Sequence, residues 1–416
     1  MRLMSKVYLR SLVISFIMLS CNNESKQDDK KNEDMKPYKQ GSFGYDLNFL
    51  QQHDSVVVLK AEGEDAQVIV SPKYQAKVFT STAAGNDGES FGWINYKAFT
   101  APVDSHMNAY GGENRLWLGP EGGIYSLFFK KGDSMVFNNW KTPAPIDTES
   151  WKVSIKNRRS VTMTKDIQLV NFAGTELQLS VVRTIAIIAK DAITRRLGLT
   201  LENSVKVVGY QTSNSLTNKG KQEWNEKTGM PCVWILDMFK PSAKTAIVLP
   251  YHTDVVDKGS KAATTDYFGE IPADRLKYNN GILLFKADGK KRGKLGLTPK
   301  RAKPMAGSFD AEKNILTITM FDVDPNGKYL NQEWNTTRPP FSGDAVNAYN
   351  DGPLEDGSQM GPFYEIESVS PAAFLQPGAS LNHNHAVFHF TGNEQELDKI
   401  ATKVLGISLE DIIKAF

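Results

Sequence analysis

The sequence predicts an all-β fold, mainly antiparallel: a large β-sandwich with a short helical segment at its C-terminus. Two observations predict it. From about residue 55 to 391, apolar residues recur with a period of two rather than 3.6, the alternation of half-buried strands. Turn clusters separate these stretches: Asn86-Asp87-Gly88, Asn279-Asn280-Gly281, Pro325-Asn326-Gly327 and Asn350-Asp351-Gly352. So many strands in one chain require packed sheets or a barrel. No fixed-period repeat marks a propeller.

The chain begins differently. Arg2, Lys6 and Arg10 flank an almost wholly apolar run, LVISFIML, over residues 12–19. That run is too short to cross a bilayer, which takes roughly 20 apolar residues. A basic start and a short apolar run read as a secretory signal peptide over 1–21. Its end, Met18-Leu19-Ser20-Cys21, resembles the bacterial lipobox. On that reading Cys21 is lipidated and holds the chain at the cell envelope, outer-membrane and facing the periplasm or the surface. Residues 22–40 are polar and charged, with early acids Glu24, Asp28 and Asp29, and read as a disordered tether. The β domain then spans 41–392 and the terminal helices 393–416.

Several stretches carry the strand signal: 56–62, 66–72, 76–82, 124–131, 151–157, 176–188, 196–203, 246–251, 281–287 and 315–323. A short helix is expected over Asp46–His53. At the C-terminus Asn393 and Glu396 have capping-box spacing. Leu397, Ile400, Ala401 and Val404 form one apolar face. Gly406 stops that helix, and Ser408 caps a last one. The net charge of +2 offers no basic footprint for nucleic acid or for a charged membrane patch. Any membrane contact is therefore through the N-terminal lipid only. Cys232 is the one cysteine besides Cys21, so the fold rests on its core, and Cys232 reads as a small buried apolar residue. A monomer is expected, and no cofactor.

Chemistry concentrates in four stretches. Residues 105–125 (SHMNAYGGENRLWLGPEGGIY) hold His106, Glu113, Asn114, Arg115, Trp117 and Glu121 among five glycines. Glycine lets backbone approach a ligand closely, arginine offers a donor fork for paired oxygens, and tryptophan offers a flat face for a sugar ring. Residues 248–259 place His252 and Asp254 at a strand end, with a titratable ring suited to proton transfer; Asp266, Asp274 and Arg275 follow in a loop that could rim the same cleft. In 363–390, Glu365 and Glu367 are two apart and share a face on a strand. If that face is buried, their carboxyl pKa values must shift. His383, His385 and His389 also share a face, but no further ligands stand at metal spacing, so no metal is expected. Finally, Asp322, Asp324, Asn326, Gly327 and Glu333 fit a calcium-loop pattern. A strand precedes them and Pro325 suits a turn, so a hairpin turn is the expected structure. The long loop after it offers Arg338, Asp344, Asn347 and Asn350.

Three segments together resemble a family. VIVSPKYQAKVFTST (68–82), GGENRLWLGPEGG (111–123) and YEIESVSPAAFLQPGASLNH (364–383) are similar to segments of the galactose mutarotase (aldose 1-epimerase) superfamily. The chain looks like an uncharacterised bacterial lipoprotein family related to it. The resemblance implies a supersandwich with a sugar cleft on a concave face. It implies Glu367 or Glu365 as the catalytic base and Arg115 as the sugar-positioning residue. The superfamily's His-Pro pair is absent, since the chain reads YQTSNSLTN (210–218); His252 or His106 could supply the acid by residue type. Trp117, Asn114, Glu121, Asp254, Arg338 and Asn350 complete the expected substrate-binding set. Three functions follow as alternatives: a carbohydrate-active enzyme such as an aldose epimerase, a non-catalytic glycan-binding lipoprotein, and a structural envelope protein without a ligand.

Overall fold

The computed structural model describes residues 37–255 and 261–416. The expected signal peptide, Cys21 and the tether as far as residue 36 lie outside the described residues. No helix among the described residues is long and apolar enough to cross a membrane.

The helix expected near residue 46 starts three residues earlier, as α1 (Phe43–Gln51), because Ser42 caps it; the Ser42 hydroxyl accepts from the Tyr45 N–H at 3.4 Å. β1 (Val57–Lys60), β2 (Gln67–Ser71) and β3 (Lys77–Thr82) form a three-stranded sheet. The chain continues through β4 (Arg115–Gly119), β5 (Lys152–Lys156), β6 (Ser160–Val170), β7 (Glu176–Ile188), α2 (Lys190–Leu197), β8 (Lys206–Asn218) and β9 (Cys232–Phe239). Then come β10 (Thr245–Pro250), β11 (Leu276–Asn279), β12 (Ile282–Lys286), β13 (Gly293–Leu297), β14 (Met305–Asp310) and β15 (Ile315–Phe321). β16 (Val346–Asn350), β17 (Tyr364–Val369), β18 (Ser380–Thr391), α3 (Glu394–Leu405) and α4 (Leu409–Lys414) close the chain.

Two larger sheets make the sandwich. Ten strands run in the order β11-β12-β10-β14-β15-β18-β8-β7-β6-β5, and five in the order β13-β16-β17-β9-β4. Every strand pairing is antiparallel. The main core lies between the sheets and includes Leu116, Ile235, Ile366, Leu295, Ile247 and Val387. A second core covers the outer face of the ten-stranded sheet. There Leu397, Ile400 and Leu405 of α3 and Leu409 and Ile412 of α4 pack on Val248, Leu284, Ile318 and Phe388. Burial on both faces explains why β10 (TAIVLP) is apolar without alternation. Asn393 and Ser408 cap α3 and α4 as the sequence indicates.

Three expectations fail locally. Residues 124–131 form no strand: Gly123 turns the chain at φ 77°, and the Ser126 N–H donates back to the Gly123 carbonyl at 3.1 Å. Their apolar side chains are instead a buried irregular cover, with Tyr125, Leu127, Phe128 and Phe129 inside. Residues 196–203 form no strand either. α2 runs into them and ends on left-handed Gly198, with Asp191 in its first turn and Arg195 and Arg196 in its last. The Pro325 turn exists, with Gly327 N–H bonded to the Asp324 carbonyl at 3.1 Å. It is not a hairpin, because β15 pairs with β14 and β18 and not with β16. Asp322 and Asp324 spend carboxylate oxygens on the Asn384 and Asn326 N–H groups, at 2.7 and 2.9 Å. Among the described residues no acidic or His/Cys cluster could hold a metal.

Candidate functional site

Strand register assembles the site. One row of paired residues crosses the five-stranded sheet: Arg115, Leu236, Glu367, Asn347 and Gly296. The next row runs Met238, Glu365, Tyr349 and Lys294. Trp117, Trp234 and Val369 form a third. Directly paired residues share a face, so Arg115, Trp117, Trp234, Lys294, Glu365 and Glu367 stand together on the face turned away from the other sheet.

Each carboxylate there has its own cation. Arg115 Nη2 donates to Glu365 Oε1 at 2.7 Å. Lys294 Nζ and Trp234 Nε1 both donate to Glu367 Oε2, each at 2.9 Å. All four charged side chains are buried, and Glu367 is completely so. Glu367 Oε1 and Arg115 Nε have no partner. Burial pushes the Glu365 carboxyl up to about 7, although Arg115 opposes the rise. The cations lie over aromatic faces: Arg115 is 4.9 Å from the Trp117 ring, and Lys294 is 4.9 Å from Trp234 and 5.6 Å from Tyr267.

A third carboxylate borders the pair. Asp344 accepts from the Tyr267 hydroxyl at 2.6 Å, and Asn347 Nδ2 reaches that hydroxyl at 3.3 Å. Burial pushes Asp344 up to about 6, and its Oδ1 has no partner. The carboxylate fits only because residue 296 is glycine: a Cβ there would meet Asp344 Oδ2 at 2.0 Å. Glu121, half-buried, is also raised by burial; Lys294 and the Trp334 side chain hold it down, while Glu367 raises it. On the far side of Arg115, Lys77 is buried with its ammonium on the Gly111 carbonyl at 3.1 Å. Burial and Arg115 lower it to about 7.

The arrangement suits a polyhydroxylated ligand that exchanges protons. It groups carboxylates that keep unbonded oxygens with arginine and lysine donors and tryptophan rings, all of them buried. An extended aromatic group continues from it: Trp117 is 6.5 Å from Trp140, which stacks on Trp334 at 5.8 Å and on Phe137 at 6.0 Å.

A family model described as a family of unknown function, DUF6786, matches residues 41–416. The chain belongs to that family. No curated protein is matched by its sequence. Among solved structures, it is similar to the Slr1438 protein of Synechocystis sp. PCC 6803, at 12% identity and a TM-score of 0.49, over 82% of this chain and 96% of that one. It is similar to a galactose mutarotase-like protein of Lactobacillus casei, at 10% identity and 0.46, over 80% and 100%. It is also similar to a galactose mutarotase related enzyme of Lactobacillus acidophilus, at 10% identity and 0.43, over 81% and 97%.

In this DUF6786 chain the residues expected at the site divide. Glu365, Glu367, Arg115 and Trp117 converge, and Glu121 joins them. Arg338 is exposed on the surrounding loops, 3.3 Å from Glu333 and 4.0 Å from Asp266. Asn114 does not join. Strand alternation turns it to the opposite face, where Nδ2 donates to Asp237 Oδ1 at 2.6 Å. Asn350 is likewise turned away, and pins the Gly289 N–H at 2.9 Å and the Lys291 carbonyl at 2.8 Å. His252 and Asp254 are exposed beyond the end of β10, on the ten-stranded sheet. His106 stacks on Phe137 at 4.7 Å and faces Asp104 at 3.3 Å, at the outer end of the aromatic group rather than at the carboxylates. His383, His385 and His389 point between the sheets, bonded to Ser368, Asp237, Thr317 and Glu113. Sequence reasoning missed Lys294, Trp234, Tyr267 and Lys77. Only for Lys294 was there a signal, the alternating GKLGL of residues 293–297.

Proposed function

We propose that this face binds a carbohydrate and moves protons on it, in the manner of an aldose epimerase. The observation that carries the reading is the pair Glu365 and Glu367. They are two residues apart, both buried, and differently held: one by Arg115, the other by Lys294 and Trp234 with an oxygen left over. Environments that separate two carboxyl groups mark an acid and a base. In this mechanism Glu367 Oε1 takes the proton of the anomeric hydroxyl. The bond from the anomeric carbon to the ring oxygen breaks as a carbonyl forms. Glu365, whose raised pKa keeps it protonated up to about pH 7, gives its proton to the ring oxygen. Reclosure on either face of the carbonyl returns both protons. Arg115 positions the sugar oxygens, and the buried Trp117 and Trp234 rings hold Arg115 and Lys294 in place.

The proposal includes the anchor: lipid on Cys21 would hold this site at the cell envelope. The deciding experiment follows anomer exchange by NMR on a panel of aldoses, with the wild type and Glu367→Gln. Exchange that the substitution abolishes supports the enzyme. Binding in calorimetry without exchange points to a glycan-binding protein instead. One observation favours that second reading: the six histidines lie elsewhere, so the site has no imidazole acid. Neither binding nor exchange on the panel would remove both.

A further inference from the structure

At Trp334 lies a cavity of about 400 Å³, within the range of about 300–1,000 Å³ usual for small-molecule sites. Trp334, Phe172 and Met135 line it together with Asp133, Asn335 and Thr336. Flat apolar rings mixed with hydroxyl, amide and carboxylate groups suit a sugar residue, which has weakly apolar faces and a polar edge.

Trp334 joins this cavity to the carboxylate face. Its side chain lies against Glu121, which senses Lys294 and Glu367 in turn. One neighbour of its ring is Trp140, stacked with an interplanar angle of 26°, and Trp140 neighbours Trp117 beside Arg115. Gln332 and Glu333, just before it, hold Trp334 there. The Gly122 N–H donates to the Gln332 carbonyl at 3.1 Å, and the Glu121 N–H to Gln332 Oε1 at 2.6 Å. The two loops touch so closely that a Cβ on Gly122 would meet the Glu333 carbonyl oxygen at 2.0 Å. Yet 36% of Trp334 remains exposed, and 58% of Phe137 near it. Large aromatic surface left in water beside a cavity marks a binding surface.

We infer that the cavity at Trp334 is a second sugar subsite, so that the ligand is the end of an oligosaccharide and not a free monosaccharide. This rests on the carbohydrate reading of the Glu365–Glu367 face. The terminal sugar occupies that face, and the next sugar stacks at Trp334.

The test compares affinities of the full chain for oligosaccharides and for their own terminal monosaccharides. A glycan array supplies the candidates, and calorimetry measures the best five against galactose, glucose and mannose. The expected result is an oligosaccharide advantage of about tenfold or more, the scale of a tryptophan anchor. Trp334→Ala and Phe172→Ala should each reduce that ratio to about twofold or less. Asp133→Ala, a change at a half-buried loop position, keeps the test open if an aromatic variant misfolds. Glu367→Gln should weaken both ligands together. If monosaccharides bind as well as any oligosaccharide, the subsite is overturned while the carbohydrate face stands. If oligosaccharides bind better but the cavity variants keep the ratio, the subsite lies elsewhere and this inference fails. If no sugar binds, both fall.

Discussion

The five-stranded sheet carries buried polar groups on both faces, and the faces treat them differently. On the inner face, Asp237 uses both oxygens, one on Asn114 and one on His385, at 2.6 and 2.7 Å. The chain of bonds continues. Ser368 Oγ lies 2.8 Å from His385 Nδ1 and 2.9 Å from His383 Nε2. Arg183 donates to Asn114, to Asn214 at 2.8 Å and to the Ala76 carbonyl at 2.9 Å. One orientation satisfies this whole run: His383 donates to Ser368, Ser368 to His385, and His385 to Asp237. It agrees with His383, which burial lowers to about 3 and so keeps neutral. On the outer face Glu367 and Asp344 each keep an oxygen without a partner. A buried acceptor left open costs about 1–3 kcal/mol. Asp237, Ser368, His383 and His385 are consumed in joining two sheets, whereas Glu367 and Asp344 hold capacity for something that arrives.

The contrast can be broken by substitution. Glu367→Gln should reduce anomer exchange about 10²–10⁴-fold, the usual worth of a general base. It keeps an acceptor for Lys294 and Trp234, so urea denaturation should show a smaller stability loss than for any inner-face change. Asp237→Ala should do the reverse. It strands Asn114 Nδ2 and His385 Nε2, at about 1–3 kcal/mol each. The loss appears as a lower urea midpoint, and any loss of exchange should follow only from unfolding. If Asp237→Ala left stability intact, the inner network would not be structural.

The pH dependence sharpens the same point. Glu365 rises from 4.5 to about 7 on folding, and Asp344 from 3.8 to about 6. Across those windows the folded chain binds more protons than the unfolded one, so stability falls as pH rises. Their contribution is complete below about pH 4 and lost by about pH 7. Glu365→Gln should flatten the fall in a series of denaturation curves. The smallest effect belongs to His252→Ala. That exposed change should leave stability within about 0.5 kcal/mol and sugar binding unaltered.

These particulars also show what a sequence can reveal of a site. Glu365 and Glu367, and Arg115 with Trp117, were legible because alternation within one strand settles which side chains share a face. Lys294 and Trp234 were not. They lie 73 and 133 residues from Glu367, and their contact depends on the register of four strands, β13, β16, β17 and β9. The same limit governs the fold. Strands such as β10 and β15 announce themselves by apolar content. β6 and β8 mix Thr, Ser, Lys and Asn into their alternation and were passed over. Residues 124–131 misled for the opposite reason, since an irregular segment that covers a core is as apolar as a strand.

Cys232 has a practical consequence. It is the sole cysteine from residue 41 onward, completely buried, with its thiol pushed up to about 12 by burial. Its sulfur lies 3.7 Å from Gln332 Nε2, behind the loop that holds Trp334. Thiol reagents need the thiolate and access, so Cys232 should react only in molecules where this loop has lifted from β4 and β9. Its labelling rate is therefore a built-in clock for the opening of that loop, readable without adding a probe, and a ligand bridging Trp334 should slow it.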